Sequence, residues 1–575
     1  MLAIIAIAAV TAAGLGIGAW GVRLVRTTSD LFVASRAISP WWNAAAISGE
    51  YLSAASFLGI AGLQLKYGAA ALWLGVGFTA GYLALLLFVA APLRRFGSYT
   101  IPDFAEARLA SPPLRMLSAG VVLLIGGFYL VPQLKGAGLT LREVTGAPYW
   151  VGVLTVAAFV ALNVGLGGMR GITYVQAFQY WVKVFAIAVP ACVLLVHLGG
   201  LPERAALFGR ELPRAPAAGL TVVLDEPTRV TFPRATAYAV DGRPRTADAG
   251  STATLPPGEL RLPPRATVPV AEGIEPRPGR EWAEPTAERG RGSPLLVYSL
   301  LIATFLGTMG LPHILVRFYT NPDGPAARRT TVRVLGLLGL FYLFPVVYGL
   351  LGRALTPELY VTGETDSVVL RLPEAAWPGL GGEILGAIVA AGAFAAFMST
   401  ASGLLVSIAG TLSFDLWGRR AGRSRARITS AGRRKHFRIG AALGMVAPAL
   451  LALTTRELDI SVLVGWAFAL AASTFCPLLL LGIWWPGLTA PGAASGVATG
   501  AVVATAVIVT GLAVGAREDG LQALLVQPAI VTVPLAFAVM AGVSLAGRSP
   551  PPASVTASML ALHAPEGLTE GEPVP

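Results

Sequence analysis

Long apolar runs separated by short polar segments recur along most of this 575-residue chain. At about 20 residues per crossing, the pattern predicts about thirteen membrane-spanning helices, the apolar parts of an all-α membrane protein. The predicted spans are residues 2–20, 41–67, 69–91, 116–138, 149–168, 174–198, 295–319, 332–351, 384–417, 439–453, 460–485, 492–514 and 528–545. A short turn around Arg170 is predicted between the fifth and sixth spans.

The second run, residues 41–67, is interrupted by Ser48, Gly49 and Glu50. An ionisable side chain in hydrocarbon costs about 2.5 to 3.5 kcal/mol on insertion scales, so Glu50 should face a partner, a cavity or a solute path. Gly49, with Ser48 and Ser53 beside it, marks a place where helical hydrogen bonding can open and free carbonyl groups. We therefore predict the broken helix of a transporter. The alternative is an unbroken helix in which Ser and Gly allow close packing and Glu50 is a structural hydrogen-bonding group.

The run at 295–319 has the same character, because it carries Gly307, Thr308, Gly310 and then Pro312. Two interrupted spans in corresponding places indicate a transporter built from inverted repeats. Four predicted spans separate them, as repeats of five helices require.

Neighbouring hydroxyl groups mark the run at 384–417, which holds Ser399, Thr400, Ser402 and Ser407. Hydroxyls beside freed carbonyls would form an all-oxygen site, which suits a hard cation such as Na⁺. The alternative is that these side chains bond their own i−4 carbonyls or hold helices together.

Residues 201–292 differ from the rest, since Pro, Arg, Glu and Thr dominate and no run is long enough to span. We predict an extramembrane insert on the outer side. The segments LTVVLDEPTRVTF, ATAYAV and GELRLPP alternate like short strands, so a small β-rich subdomain and a disordered loop both remain open. The Pro- and Ala-rich tail, 547–575, is predicted to be a disordered cytoplasmic extension.

Composition agrees with this class, because 55% of the residues are hydrophobic and only 13% are charged, and the mean hydropathy is +0.67. The net charge of +12 would suggest a nucleic-acid partner for a soluble protein. In a membrane protein it is interpreted by position, since Lys and Arg gather on the cytoplasmic side, and no nucleic-acid partner is expected. The arginines near residues 94–115, 317–333 and 419–438 predict an outside N-terminus and a cytoplasmic C-terminus.

No catalytic constellation is present in the sequence. The chain has four His and lacks HExxH, GxSxG and P-loop patterns, so an enzyme is not expected. Cys192 and Cys476 both lie in apolar runs and predict neither a disulfide nor a metal site. A membrane sensor built on the same module would be expected to continue into a signalling domain, whereas about 30 residues follow the last span.

Several motifs resemble the solute:sodium symporters, and within them the cation/acetate and monocarboxylate permeases. They are SDLFVASR, SGEYLSAASFLGIAGL, LRRFGSYTIPDF, FYLVPQLKGAG, GGMRGITYVQ and GLPHILVRFYT. The resemblance implies a five-plus-five inverted repeat, as in amino-acid transporters. The chain then divides into a first helix (1–22), a first repeat (41–200), the insert (201–292), a second repeat (293–485), two further helices (492–546) and the tail (547–575).

The resemblance also implies where a co-transported Na⁺ binds. The implied ligands are the carbonyls of Gly49, Leu52 and Ala396 and the hydroxyls of Ser399 and Thr400. The MST triplet at 398–400 resembles the proline-transporting branch more than the acetate permeases. That departure strengthens the Na⁺ assignment and loosens the substrate assignment.

The predicted solute is a small monocarboxylate such as acetate, imported across a bacterial cell membrane in symport with Na⁺ by alternating access. The predicted substrate-binding residues are Ser48, Glu50, Tyr51, Ser53, Ser56, Tyr129, Gln133, Lys135, Thr308 and Gly310. Lys135 is either a counter-charge to Glu50 or the solute, or a residue whose ammonium extends to the interface. His313, close to the second break, is either titratable or simply packed. A Na⁺- or H⁺-coupled symporter of another small solute, such as an amino acid, is the alternative function, and Glu50 is the residue that suggests proton coupling.

Overall fold

The computed structural model describes residues 1–22, 38–199, 212–274, 277–285, 294–417, 430–456, 458–515, 520–547 and 555–564. Up to the insert, its helices are α1 (Leu2–Val22), α2 (Pro40–Tyr51), α3 (Ile60–Tyr67), α4 (Leu72–Phe88), α5 (Ala90–Phe96), α6 (Ile101–Leu109), α7 (Pro112–Thr145) and α8 (Tyr149–His197). From the insert onward they are α9 (Gly279–Trp282), α10 (Pro294–Gly310), α11 (Pro312–Phe318), α12 (Gly324–Tyr342), α13 (Pro345–Leu355), α14 (Glu358–Thr362), α15 (Val368–Ala376), α16 (Leu380–Gly410), α17 (Ser430–Thr454), α18 (Ile460–Trp484), α19 (Ala490–Val514), α20 (Ala523–Val526), α21 (Ala529–Ala546) and α22 (Val555–His563). A wider π-helical turn forms Ala55–Gly59 before α3 and another, Thr411–Trp417, extends α16.

Ten helical segments of the described chain are long and apolar enough to cross a membrane, or eleven if the bent pair Leu295–Gly310 and Pro312–Phe318 is one span. The count of thirteen is therefore not confirmed. The single segment Ala55–Phe88 contains parts of two predicted crossings, 41–67 and 69–91. The helix Tyr149–Gly165 is shorter than the other candidate spans. Within Ala55–Phe88 the chain nevertheless reverses, because a Cβ on Gly75 would lie 3.8 Å from Ile60.

Helix α8 contains a second reversal. Its helical backbone continues from Tyr149 to His197, yet a Cβ on Gly18 of α1 would meet both Asn163 and Val175. Residues 12 positions apart would lie about 18 Å apart along a straight helix, so both cannot face one point of α1. The chain turns back between them, in the region where the sequence predicted a turn.

Both predicted breaks are present. Helix α2 ends at Tyr51, Leu52 has the non-helical ψ of 87°, and the helix resumes from Ala54. The second broken helix bends by 43° between α10 and α11, where Leu311 is extended and Pro312 begins the next helix. Freed backbone groups inside a membrane are tolerated only where protein or a solute path surrounds them.

Helices from both repeats surround these breaks. Helix α16 packs along α8, α2 packs on α8, and α10 lies between α4 and α18. Small residues allow the close approaches. A Cβ on Gly49 would lie 2.3 Å from the carbonyl oxygen of Gln176 in α8, so α2 and α8 meet backbone to backbone there.

The insert is folded, and of the two interpretations the β-rich one is correct for its described residues. Antiparallel pairing joins its strands into a four-stranded sheet, β1-β6-β3-β4, and a three-stranded sheet, β5-β2-β7. The strands are β1 (Leu220–Leu224), β2 (Thr228–Thr231), β3 (Thr236–Val240), β4 (Arg243–Ala247), β5 (Thr252–Leu255), β6 (Gly258–Leu262) and β7 (Val270–Ala271). Val230, Phe232, Leu255 and Leu260 are fully buried. The fold as a whole is thus helical with one small β subdomain.

Trp282 of the short helix α9 holds the insert against the helices. Its ring is 2% exposed, its indole N–H donates to the carbonyl of Leu65, and the Arg353 guanidinium lies 4.9 Å from the ring centre. Gly68 turns directly beneath it with φ 67°, a conformation that suits glycine. We call this end of the helix bundle the insert end.

The tail is partly ordered, which corrects the prediction of a disordered extension for its described residues. Helix α22 packs on α5 and α6, with Leu562 fully buried and its carbonyl accepting a hydrogen bond from Arg95. The apolar residues of VTASMLALH supply that contact. The motif SDLFVASR at 29–36, the arginines at 419–427 and the tail beyond residue 564 lie outside the described residues, and the orientation of the termini stays a prediction.

Candidate functional site

The most informative side chain at the first break is Lys183 of α8. Its ammonium donates hydrogen bonds to the carbonyl of Gly49, to the carbonyl of Leu52 at 2.8 Å and to the Ser399 hydroxyl at 2.6 Å. A lysine ammonium has three N–H donors, so all three are satisfied here. Lys183 is fully buried. It therefore joins three elements: α8, the broken helix and α16.

These three acceptors are three of the five groups that the sequence predicted as Na⁺ ligands. The predicted residues do converge, although they come from both repeats. Ser399 Oγ also lies 2.7 Å from the Gly49 carbonyl and 3.0 Å from the Ala396 carbonyl, either of which can accept its proton. Thr400 turns elsewhere, since its hydroxyl donates to the carbonyl of Glu50 at 2.6 Å. The position assigned to an ion is thus one where this structure places the side-chain nitrogen of a lysine.

A second buried basic side chain, Arg317 of α11, contacts both the first broken helix and α8. Its Nε donates to Glu50 Oε2 at 2.6 Å and its Nη1 to the Thr173 hydroxyl at 2.7 Å. Its Nη2 donates to the Gln176 side chain, whose own NH₂ group donates to the Ser399 carbonyl at 2.7 Å. Arg317 and Glu50 are each 1% exposed. The sequence predicted that Glu50 needs a partner, and the structure identifies that partner as Arg317.

Charge is unbalanced in this cluster. Lys183 and Arg317 supply two positive charges, and Glu50 supplies one negative charge. The second carboxylate oxygen of Glu50 is buried, accepts no hydrogen bond from the described residues and faces Gly403, where a Cβ would lie 1.8 Å away. With these groups in their ordinary ionised forms, the cluster has an excess of one positive charge. In a low-dielectric surrounding such a charge attracts an anion strongly.

A cluster of aromatic side chains lies beside the two helix breaks. The hydroxyl of Tyr51 lies 2.8 Å from the Thr308 hydroxyl and 3.2 Å from the Phe78 carbonyl, so it links the two broken helices. The ring of Phe468 lies 6.2 Å from that of Tyr51 and 5.6 Å from that of Tyr129. This arrangement brings together Tyr51, Thr308 and Tyr129, all predicted from the sequence.

Several buried polar atoms near the breaks have no hydrogen-bond partner among the described residues. They include the hydroxyls of Ser48, Ser53, Tyr82 and Ser402 and both ring nitrogens of His313. The His313 ring packs 5.3 Å from the Tyr129 ring. Buried polar groups are nearly always paired, so a cluster of unpaired ones is typical of a place that receives a polar ligand.

The remaining predicted substrate residues have structural contacts. Gln133 Oε1 accepts the backbone N–H of Ala54 at 2.9 Å and so caps the segment after the first break. The Ser56 hydroxyl lies 3.0 Å from that of Tyr342. Gly310 is pressed against α18, because a Cβ there would lie 2.4 Å from the Ala471 carbonyl. Gln133 and Gly310 therefore stabilise the backbone at the breaks, and their contacts are with protein groups.

Lys135 does not pair with Glu50, which corrects one of the two roles considered for it. Its ammonium donates to the carbonyl of Leu458 at the insert end. Lys66 and Asp459 form an ion pair of 2.7 Å close by, and Asp366 accepts the N–H of Ile460 at 3.0 Å. Burial, followed by the neighbouring Asp459 carboxylate, raises the pKa of Asp366. The physical reason for the correction is position. The Lys135 ammonium lies at the insert end, and the Glu50 carboxylate is paired with Arg317.

The opposite end of α7 carries a second ion network around Arg115. Its Nε and Nη2 both donate to Asp415 Oδ1, at 2.8 and 2.6 Å. Its Nη1 contacts Asp103 at 3.2 Å and Glu106 at 2.6 Å. Arg115 and Lys135 are 20 positions apart in one helix, hence about 30 Å at 1.5 Å per residue. The charged cluster at the breaks thus lies between two hydrogen-bonded ends.

Two interrupted helices, joined by a buried ion pair and a contact between two hydroxyls, define a secondary transporter of the multi-pass membrane type rather than an enzyme. The chain belongs to the sodium:solute symporter family, whose model matches residues 31–208 and 268–500.

Known proteins agree with this family and fold. Over 474 residues the chain is 29% identical to an uncharacterized symporter, YwcA, of Bacillus subtilis (strain 168). The aligned region covers 82% of this chain and 79% of that protein. The structure of a Na⁺-coupled sialic acid symporter in a substrate-bound outward-open state matches with a TM-score of 0.68 at 14% identity, covering 96% of this chain and 98% of that one. Mhp1, a nucleobase-cation-symport-1 family transporter, matches in a closed conformation with a TM-score of 0.51 at 12% identity, covering 93% and 99%. The five-plus-five inverted repeat is therefore the fold of this chain.

Sequence reasoning missed Lys183 and Arg317. Lys183 is the single charged residue in the apolar segment YVQAFQYWVKVFAIAV, so the rule that singled out Glu50 applies to it equally. Counting crossings places Arg317 among the cytoplasmic arginines, at the inner end of the predicted span 295–319. The break at Leu311 instead brings it back into the core.

Proposed function

We propose that this protein is a secondary active symporter that imports a small monocarboxylate, acetate or a close analogue, by alternating access across a bacterial cell membrane. The observation that carries the proposal is the excess of basic over acidic side chains, Lys183 and Arg317 against Glu50, where the two broken helices meet. A solute with one carboxylate neutralises that excess. The Ser48 hydroxyl, which has no hydrogen-bond partner among the described residues, is a suitable donor to its oxygens.

The neighbouring side chains favour a small solute with an apolar tail. Phe468, Phe78 and Tyr51 form a buried aromatic group at the breaks, and such surfaces bind short alkyl chains better than polyols. By resemblance, sugar-transporting relatives place amide side chains on the first broken helix. This chain has Tyr51 and Ser56 there, which argues against a sugar.

Two coupling ions are candidates. Na⁺ follows from the family and from the convergence of Gly49, Leu52 and Ser399, and each positive charge moving down about 100 mV contributes about 2.3 kcal/mol. Coupling to H⁺ is the second candidate. It is favoured by the ammonium of Lys183, which already holds a positive charge at the position assigned to Na⁺.

The test is uptake of radiolabelled acetate by proteoliposomes that contain the purified protein. An inward Na⁺ gradient, an inward H⁺ gradient and no gradient are compared, each with unlabelled propionate or acetamide as competitor. Acetamide has nearly the shape of acetate without its charge, so competition by propionate and not by acetamide is expected. Gradient-driven uptake that acetamide inhibits as well as propionate does would contradict recognition of a carboxylate. No acetate uptake under either gradient would contradict the proposed solute.

The two candidate ions are separated with the double variant Ser399→Ala and Thr400→Ala. Uptake that needs a Na⁺ gradient and collapses in this variant supports Na⁺ at the predicted ligands. Uptake that follows the H⁺ gradient and does not respond to Na⁺ supports the second candidate.

A further inference from the structure

Lys183 carries an inference about the ion site itself. The cation position between the broken helix and α16 is formed by two backbone carbonyls and one hydroxyl, and the Lys183 ammonium contacts all three. We infer that Lys183 is a tethered cation: its ammonium takes the place of a bound Na⁺, and the wild-type chain binds no Na⁺ at this position. The inference rests on the proposed function only where transport is concerned.

The geometry is that of a built site. Lys183 is fully buried, and its three N–H donors are matched by three oxygen acceptors that point to one place. A buried charge is retained when its hydrogen-bonding groups are satisfied, and this one is. Nothing further is needed from water to solvate it.

The ammonium also performs the mechanical task that an ion would have there. It connects the C-terminal end of α2 and Leu52, in the first repeat, to Ser399 of the second repeat. An ion would connect them only while bound, whereas a tethered ammonium connects them without a gradient. Adding Na⁺ to the same oxygens would place two positive charges at one position, which the low-dielectric interior strongly disfavours.

Surrounding charges agree with single occupancy. Glu50 is the carboxylate that lies near Lys183, and it is already paired with Arg317 at 2.6 Å. A second monovalent cation would therefore enter a cluster that already has an excess of one positive charge. Removal of the Lys183 charge leaves Glu50 and Arg317 balanced and makes room for an ion.

The experiment measures Na⁺ binding to purified, full-length protein without any solute. Thermal stability and ²²Na⁺ retention are compared in NaCl and in choline chloride at equal ionic strength. The wild type is expected to show no Na⁺-specific rise in Tm. Lys183→Ala is expected to be less stable in choline, to gain stability in Na⁺ and to retain about one ²²Na⁺ ion per chain.

Two further variants control the comparison. Adding Ser399→Ala to Lys183→Ala should abolish the gained Na⁺ response, because it removes a ligand from the vacated position. Lys66→Ala is the matched lysine control: Lys66 lies in α3, after the first break, and pairs with Asp459, so this variant should gain no Na⁺ response.

A Na⁺-specific, saturable stabilisation of the wild type that Ser399→Ala removes would overturn the inference, and that arm does not depend on the folding of any Lys183 variant. A folded Lys183→Ala protein that gains no Na⁺ response would overturn it as well. Because no carboxylate is present, either result leaves the proposed solute untouched. Failure of acetate uptake would likewise leave the ion-site inference untouched.

Discussion

Lys183 Nζ and Ser399 Oγ lie 2.6 Å apart although 216 positions separate the two residues in the chain. The same ammonium reaches the Leu52 carbonyl at 2.8 Å. One side chain of α8 thus holds the first broken helix against α16. The residues around Leu52 have few helical hydrogen bonds of their own, so this contact adds to their stability together with the Gln133 contact to Ala54.

Lys183→Met keeps the length of the side chain and removes its donors. Hydrogen bonds to charged groups contribute roughly 1.5 to 3 kcal/mol each, so the loss should let the segment around Leu52 and Ser53 open more often. Hydrogen–deuterium exchange should be at least about tenfold faster there in Na⁺-free buffer. Lys66→Met, at the insert end, is the control, and unchanged exchange around Leu52 in Lys183→Met would contradict the contact.

Glu50→Gln should be strongly destabilising, because it leaves Arg317 buried opposite a neutral amide. Breaking one side of a buried pair costs about 3 to 5 kcal/mol. The double variant Glu50→Gln with Arg317→Gln should lose less than the sum of the single variants, since the unpaired charge is gone. Denaturant or thermal unfolding of all four proteins measures this coupling, and strict additivity would exclude the pair as a stabilising contact.

Tyr51 and Thr308 join the two broken helices through hydroxyls 2.8 Å apart. Tyr51→Phe and Thr308→Val each remove one hydroxyl with little change in volume. Each should lower acetate uptake, and the double variant should be no worse than the poorer single variant, with a coupling of about 1 kcal/mol. Initial uptake rates test this, and fully additive losses would show that the hydroxyls act independently.

Asp415→Asn should loosen the end of the bundle opposite the insert, where Arg115 donates twice to Asp415. Buried Ser413, replaced by Cys in a Cys192→Ser background, reports the opening by its rate of maleimide labelling. If the closed form loses about 1.4 kcal/mol of stability relative to the open form, labelling should be about tenfold faster. Glu259→Gln, which breaks the exposed pair of Arg261 and Glu259 in the insert, should leave the rate unchanged. An equal rate in Asp415→Asn would show that this pair does not close that end.

The breaks, the repeats and the convergence of Gly49, Leu52 and Ser399 could be predicted from the sequence. The breaks depend on local signals, such as glycine beside serine or proline after glycine in an apolar run, whereas the repeats also depend on the spacing of the breaks and the convergence is implied by the family resemblance. The strands of the insert were also predicted, but whether they fold was left open because their core forms only when both sheets assemble.

The partners of buried charges could not be predicted in the same way. Glu50 signalled a need for a partner, yet Arg317 lies 267 positions away and reaches it only because α11 starts anew at a break. Lys183 carried the same local signal as Glu50. Its meaning depends on which oxygens meet it, and those come from segments 131 to 216 positions distant. Arrangement in space, more than residue type, assigns these roles.

The most direct test of the account is acetate uptake by wild-type proteoliposomes with an inward H⁺ gradient, in Na⁺ and in Na⁺-free choline medium. With Lys183 as the resident cation and a carboxylate as the solute, uptake should be concentrative and equal in the two media, and propionate should inhibit it. Uptake that occurs only with an inward Na⁺ gradient and that shows a Na⁺ dependence removed by Ser399→Ala would contradict the role given to Lys183.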